Sequence, residues 1–129
     1  MLHDRIESGV GVDDPKLVRS FSYIGGKWVG AADGATLTVP NPADGSTVGE
    51  VAKLSAAEST QAVDAAQAAF PAWAGSLPQD RGALLRRWYE LMVQNAEDLA
   101  RIMVAEQGKP ISEARGEIDY AASFVEYYA

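Results

Sequence analysis

The chain has 129 residues, 47% of them apolar, which is enough for one domain with a hydrophobic core. Its formal net charge of −7 argues against nucleic acid and anionic membranes as partners, because both are bound through Lys and Arg. The sequence has no cysteine, which excludes disulfides and thiolate chemistry and favours a cytoplasmic protein. We expect neither a membrane span nor a signal peptide, because no apolar run has the required length.

The first twenty residues are polar and lack a hydrophobic period. We expect residues 1–20 to form a flexible N-terminal arm, with a turn at Asp13, Asp14 and Pro15. His3 is the one histidine of the chain and lies in this arm, where a base or ligand would be poorly held. We therefore predict no functional role for His3, and no zinc site in a chain without a second histidine or a cysteine.

Three β-like runs follow the arm. Residues 23–29 predict a β-hairpin, because their central Gly-Gly pair supplies the positive φ angles of a tight turn. Residues 36–39 form the next run, and the Pro-Asn-Pro run at residues 40–42 is expected to stop it because proline has no N–H to donate. Residues 47–51 form the last of the three.

The first of about four helices is predicted to begin after residue 55. Ser55 and Glu58 have the spacing of a capping box. Pro71 is expected to kink or end this helix. Its predicted apolar face consists of Val63, Ala66, Phe70 and Trp73.

Capping signals also predict the later helices. Ser76 with Gln79, and Asn95 with Asp98, suggest the starts of the second and third helices. Gly108 is expected to end the third helix in the left-handed conformation, and the proline two residues later suits the first turn of a fourth.

The fourth helix is predicted to be apolar on two sides, which implies burial between two layers. One stripe comprises Ile111, Ala114, Ile118, Ala121, Val125 and Tyr128. The second stripe comprises Tyr120, Phe124 and Tyr127. The pattern runs to Ala129 without a terminating residue, so we expect the chain to stop within the element. The alternative is a frayed C-terminal helix that docks on the preceding three.

No complete active site can be assembled from these residues. The sequence has neither of the glycine-rich patterns that cradle phosphates. We expect Trp28, Trp73 and Trp88 to pack in the core rather than to form a ligand platform. Glu113, Glu117 and Asp119 cluster on the last helix, and we expect Glu113 to lie on a solvated face. Glu106 opposes the dipole of its helix, so it suggests a cation or backbone partner, although packing and capping also suffice.

The run Glu-Gln-Gly-Lys-Pro at residues 106–110 introduces a segment, residues 106–129, that closely resembles the N-terminal region of aldehyde dehydrogenases. It is most similar to the succinate-semialdehyde and glutarate-semialdehyde branch. Further collinear resemblances extend the similarity to residues 21–129. They lie at residues 23–28, 39–45, 48–51, 65–73 and 81–90.

The resemblance implies an α/β fold, namely the N-terminal part of a Rossmann-like aldehyde dehydrogenase fold. Residues 21–129 would be the first segment of its NAD(P)-binding domain. The family's members are much longer, and they act as oligomers on small aldehydes. A cysteine nucleophile, NAD(P)⁺ and a water-activating glutamate carry out the oxidation. In the family these groups follow the point that matches Ala129, so we expect this chain to be inactive alone.

The resemblance also implies roles for a few residues of this chain. Gly116, Tyr120 and Phe124 match positions that face the substrate funnel, and packing against a catalytic domain is the alternative. Glu106 and the backbone carbonyl near Val39 match positions that hold a monovalent cation in several relatives. The implied function is oxidation of succinate semialdehyde or a related semialdehyde. The alternatives are a non-catalytic module that pairs with full-length dehydrogenase subunits, and a free-standing helical domain.

Overall fold

The computed structural model describes residues 9–129, and His3 lies outside them. These residues form two antiparallel pairs of strands followed by four helices, so the predicted α/β class is confirmed. The strands are β1 (Ser22–Ile24), β2 (Lys27–Val29), β3 (Thr36–Pro40) and β4 (Thr47–Ala52). The helices are α1 (Ala56–Gly75), α2 (Pro78–Gln94), α3 (Ala96–Gln107) and α4 (Ile111–Tyr128).

The β1–β2 hairpin has the turn that its glycines predict. Gly25 and Gly26 have φ angles of 56° and 80°, and Ile24 pairs with Lys27 across the two-residue loop. Consecutive positive φ angles give the turn a twist that matches the flanking strands. The predicted hairpin is confirmed.

Each strand of the β3–β4 hairpin is one residue longer than predicted, through Pro40 in β3 and Ala52 in β4. Pro40 pairs with Thr47 beyond an irregularity in the register between Val39 and Pro40. The strand nevertheless ends at Pro40, within the run 40–42 that was predicted to stop it. Proline is tolerated at the end of an edge strand next to a bulge, because no ladder N–H is needed there.

Helix α1 begins with the predicted capping box. Ser55 Oγ accepts a bond from the Glu58 N–H at 3.3 Å, and a Glu58 carboxylate oxygen accepts from the Ser55 N–H at 2.7 Å. Pro71, expected to kink or end the helix, does not end it, since α1 continues to Gly75. No residue of α1 is buried, so the predicted apolar face is exposed to solvent in this chain.

The predicted side-chain caps of α2 and α3 are wrong, because neither helix has a side-chain hydrogen bond at its N-cap. Helix α2 begins with Pro78 at its first position, and the Ser76 hydroxyl instead donates to the Trp73 carbonyl at the end of α1. The Asn95 side chain likewise donates backward, to the Leu91 carbonyl at 2.8 Å, and gives α3 no side-chain cap.

The end of α3 is as predicted. Gly108 adopts a φ of 73° and its N–H bonds the Val104 carbonyl, as a left-handed C-terminal residue does. Pro110 then immediately precedes α4.

The small hydrophobic core lies between α3 and α4. Ala100 and Ala114 are fully buried, and Ile118 is buried beside them. On α4 the buried line continues to Ala122 rather than to the predicted Ala121, because α4 packs against both α2 and α3. The partly buried residues around this core are Ala96, Leu99, Met103, Val104 and Ile111.

The three tryptophans are exposed, so the prediction that they pack in the core is wrong for this chain. Trp28 instead contacts the Tyr23 ring, with centroids 5.1 Å apart, and the Arg19 guanidinium lies over its face. No helix within residues 9–129 is both long enough and apolar enough to cross a bilayer.

The described part of the N-terminal arm lies against α3. Backbone N–H groups of Asp13 and Asp14 donate to the Asp98 carboxylate, and Arg101 donates to the Gly11 carbonyl at 3.0 Å. Asp14 then caps a short 3₁₀ turn, Pro15–Leu17. The mobility of the arm and the boundary at residue 21 stay predictions.

Candidate functional site

The predicted funnel residues share one exposed face of α4. Gly116, Tyr120 and Phe124 recur every four residues, which places them on the same side of a helix. The Tyr120 and Phe124 rings meet edge to face, with centroids 4.8 Å apart and planes at 81°. Tyr120 is 66% exposed and Phe124 is 47% exposed. The structure thus brings these residues together, while their contact with an aldehyde stays a prediction.

Gly116 opens a gap on this face. A Cβ built on Gly116 would meet no atom within 4 Å. Its helical conformation does not require glycine, because none of its backbone angles is unusual. The space in front of α4 at this position is therefore open in this chain.

The exposed aromatic side of α4 lies opposite its buried side. Ala114, Ile118 and Ala122 pack inward, whereas Tyr120 and Phe124 point outward. At the end of the helix Tyr127 and Tyr128 also stack edge to face at 5.1 Å. Such an aromatic strip presents a large apolar area with polar hydroxyl groups, which suits a binding surface.

Ion pairs hold α4 against its neighbours. Arg115 makes two bonds to Glu97 of α3, at 2.7 and 2.8 Å. Those bonds hold the pKa of Glu97 below its ordinary value and raise the pKa of Arg115. Arg86 of α2 bonds Glu126 at 3.1 Å.

A further ion pair joins Lys109 to Glu117 across the start of α4. Glu117 of the predicted acidic cluster therefore has a fixed partner. Together with the pairs to α2 and α3, this contact fixes the rotation of α4 and hence the direction of its aromatic side.

The candidate cation residues lie in two different elements. Glu106 is exposed in the last turn of α3, and Val39 is half-buried in β3, where it pairs with Gly49. The hairpin does approach this helix end, since a Cβ on Gly108 would lie 2.8 Å from Pro42 Cγ. No group of three or more acidic or histidine side chains capable of holding a metal occurs in residues 9–129. A monovalent cation between Glu106 and Val39 stays a prediction.

The absence of a dinucleotide site from residues 9–129 stays a prediction. A phosphate cradle needs glycines where a strand leads into a helix N-terminus. Each positive-φ glycine of the described chain lies instead in a turn or at a helix end. These are Gly25, Gly26, Gly34, Gly45 and Gly108.

Two features of the structure were missed by sequence reasoning. An open groove of about 360 Å³ lies between the 3₁₀ turn and helices α2 and α3. Asp98, interpreted from the sequence only as a capping residue, is buried and binds the arm. The sequence signal that could have indicated the burial of Asp98 is the position of a carboxylate within the apolar pattern of α3. The groove is lined by Asp14, Lys16, Leu17, Arg19, Trp88, Leu91, Met92, Asn95 and Leu99.

Comparisons with known proteins agree with the resemblance. The model of the aldehyde dehydrogenase family matches residues 28–129. Glutarate-semialdehyde dehydrogenase of Pseudomonas putida is 51% identical over 116 residues, which cover 90% of this chain and 24% of that enzyme. The NADP(+) succinate-semialdehyde dehydrogenase of Escherichia coli is 46% identical over 118 residues, which cover 92% of this chain and 24% of that enzyme.

A solved structure shows the same fold. Succinate-semialdehyde dehydrogenase from Burkholderia pseudomallei superposes with a TM-score of 0.87 at 49% identity, over 90% of this chain and 24% of that one. The chain thus spans about a quarter of the length of these relatives. The matched sequence motifs and the shared fold together establish that this chain belongs to the aldehyde dehydrogenase family.

Proposed function

We propose that this chain is the first segment of the cofactor-binding domain of an NAD(P)⁺-dependent semialdehyde dehydrogenase. Its substrate would be succinate semialdehyde, glutarate semialdehyde or a close relative, oxidised to the acid. The observation that carries the proposal is the exposed aromatic side of α4, present in a chain about half identical to glutarate-semialdehyde dehydrogenase.

In this proposal α4 forms one wall of the substrate funnel. Tyr120 narrows the passage, and Gly116 leaves room beside it because no atom lies within 4 Å of its missing Cβ. Phe124 supports the Tyr120 ring through their edge-to-face contact. The ion pairs of α4 with α2 and α3 hold the wall in place.

The segment would not catalyse the reaction by itself. We expect no dinucleotide site in residues 9–129, because their positive-φ glycines lie in turns or at a helix end, and the sequence has no cysteine to serve as the family's nucleophile. Catalysis then belongs to a longer polypeptide in which this segment is joined to the rest of the fold. We further propose that this polypeptide is a cytoplasmic homo-oligomer.

A chimera tests the proposal. This chain replaces the matching 24% of the Pseudomonas putida glutarate-semialdehyde dehydrogenase, and reduction of NAD⁺ or NADP⁺ is followed with each semialdehyde. We expect the chimera to be active and the 129-residue chain alone to be inactive. Activity of the isolated chain, or an inactive but folded chimera, would contradict the proposal.

Substitution of Tyr120 in the chimera tests the funnel. Tyr120→Ala is expected to change KM severalfold with little change in kcat, because it alters passage and binding rather than the chemical step. Asp119→Ala, at the neighbouring exposed position, is the matched control. An unchanged KM in Tyr120→Ala would favour the packing role instead.

The alternative is a non-catalytic module that pairs with complete dehydrogenase subunits. Phe70 and Trp73 on α1 and Phe124 on α4 are exposed, and this favours the module because large exposed apolar side chains are typical of surfaces that bind another protein. Size-exclusion chromatography of the isolated chain with the complete enzyme distinguishes the two. A stable complex with the enzyme supports the module, and no complex supports the segment.

A further inference from the structure

Within residues 9–129, Asp98 is the one charged side chain that is buried, at 5% exposure. It lies in the first turn of α3. Its two carboxylate oxygens accept bonds from the Asp13 N–H at 2.9 and 3.0 Å, and one also accepts from the Asp14 N–H at 2.8 Å. A buried carboxylate is stable only when such partners replace its water.

We propose that Asp98 is the anchor of a strap, residues 11–19, that closes over α2 and α3. One carboxylate holds two successive backbone N–H groups, so it fixes both the position and the direction of the chain at this point. The strap has no strand partner between residues 11 and 14 to provide these bonds instead.

Arg101 completes the anchor from the next turn of α3. Its guanidinium donates to the Gly11 carbonyl at 3.0 Å, and it lies 3.7 Å from Asp98 and 3.8 Å from Asp13. The cation thus offsets the acidic side chains that meet here. Glu97 also contacts Arg101, at 3.4 Å, but its principal partner is Arg115.

The anchor determines the geometry of the strap beyond it. The Asp14 side chain accepts a bond from the Lys16 N–H at 3.0 Å and so starts the 3₁₀ turn. The turn brings Leu17 to the groove, whose α2 side includes Trp88 and Met92. The groove therefore exists as a defined surface only while Asp98 holds the strap.

Limited proteolysis of the whole chain tests the anchor. Trypsin cleaves after Lys16 and after Arg19, both inside the strap. We expect Asp98→Asn to increase cleavage at these two sites about tenfold, because a released segment opens more often than a bonded one. Cleavage within α2, after Arg86 or Arg87, is expected to change little.

Glu97→Gln is the matched control. It removes a neighbouring carboxylate of the same turn, its pair with Arg115 and its contact with Arg101, yet it leaves every bond to the strap. Equal acceleration in both variants, or faster cleavage throughout the chain, would overturn the proposal, because either pattern indicates general loss of stability.

A second variant and a measurement on the unaltered chain cover the case in which Asp98→Asn does not fold. Arg101→Gln removes the bond to Gly11 and is expected to accelerate strap cleavage by a smaller factor. In the unaltered chain the amides of Asp13 and Asp14 should exchange with solvent at least about tenfold more slowly than unprotected amides. Unprotected amides at both positions would refute the anchor.

Discussion

Gly108 and Pro42 are so close that the left-handed end of α3 has no room for a side chain. A Cβ on Gly108 would lie 2.8 Å from Pro42 Cγ, and the backbone there has a φ of 73°. Two separate effects therefore require glycine, namely the backbone conformation and the neighbouring proline ring. The contact also joins the β3–β4 hairpin to the α3–α4 junction.

Gly108→Ala is expected to lower the free energy of unfolding by more than the cost of placing alanine in the left-handed conformation. The left-handed conformation costs about 1–2 kcal/mol in a residue with a Cβ, and the clash with Pro42 adds to it. Gly45→Ala is the control, because Gly45 has a φ of 75° with no atom within 4 Å of a built Cβ. The difference between the two variants in unfolding free energy, measured with urea, gives the contribution of the clash with Pro42. Equal losses of stability would show that the hairpin moves away from the new side chain at no cost.

Gly116→Ala is expected to stabilise the isolated chain. Alanine lowers the entropy cost of forming the helix by about 1 kcal/mol, and its methyl group would point into open space. Gly82→Ala offers the same propensity gain in α2, but its Cβ would lie 2.6 Å from the Ala129 carbonyl oxygen. Thermal unfolding should therefore shift upward for Gly116→Ala alone. A downward shift would mean that the α4 face is not open.

Ile118→Ala is expected to cost about 2–4 kcal/mol of unfolding free energy, because it leaves a cavity in a small core. Val63→Ala removes carbon from the exposed side of α1 and should cost less than about 0.5 kcal/mol. Urea titration of each variant provides the comparison. If both variants lost a similar amount of unfolding free energy, the core between α3 and α4 would not be the main source of stability.

Acid should destabilise the fold through three bonded carboxylates. The Arg115 bond lowers the pKa of Glu97, the Asp13 and Asp14 N–H groups lower that of Asp98, and the Ser55 hydroxyl and N–H lower that of Glu58. When the pH falls below the ordinary pKa values, 4.5 for Glu and 3.8 for Asp, these carboxylates bind protons in the unfolded chain before they do so in the folded chain. Stability is therefore full above pH 4.5 and is lost as pH falls through the folded pKa values.

The urea midpoint measured against pH tests this acid dependence. We expect a constant midpoint from neutral pH to about pH 5 and a decline below it. Glu58→Gln should flatten part of the decline, because the substituted side chain no longer titrates. A midpoint that rises on acidification would contradict the assigned directions.

Local features of the fold were predictable because their causes lie within a few residues. The hairpin at Gly25 and Gly26, the Ser55 capping box and the left-handed Gly108 each depend on conformations or bonds set by neighbours. The Ser76 cap failed because its hydroxyl had an equally local competitor, the Trp73 carbonyl.

Long-range features could not be predicted in the same way. The Asp98 carboxylate meets a backbone N–H that lies 85 residues away in sequence, and no periodicity encodes that pairing. The choice of Ala122 over Ala121 depends on where α2 packs. The shared face of Gly116, Tyr120 and Phe124 was predictable from helical geometry, whereas what that face contacts lies outside the helix.

The position of the core between α3 and α4 has a kinetic consequence. The core residues belong to two consecutive helices joined by residues 108–110. Contacts between them therefore form with the closure of only a short loop, which costs little entropy. This helical pair should form the folding nucleus, with the hairpins joining after the rate-limiting step. Ile118→Ala should then mainly slow folding.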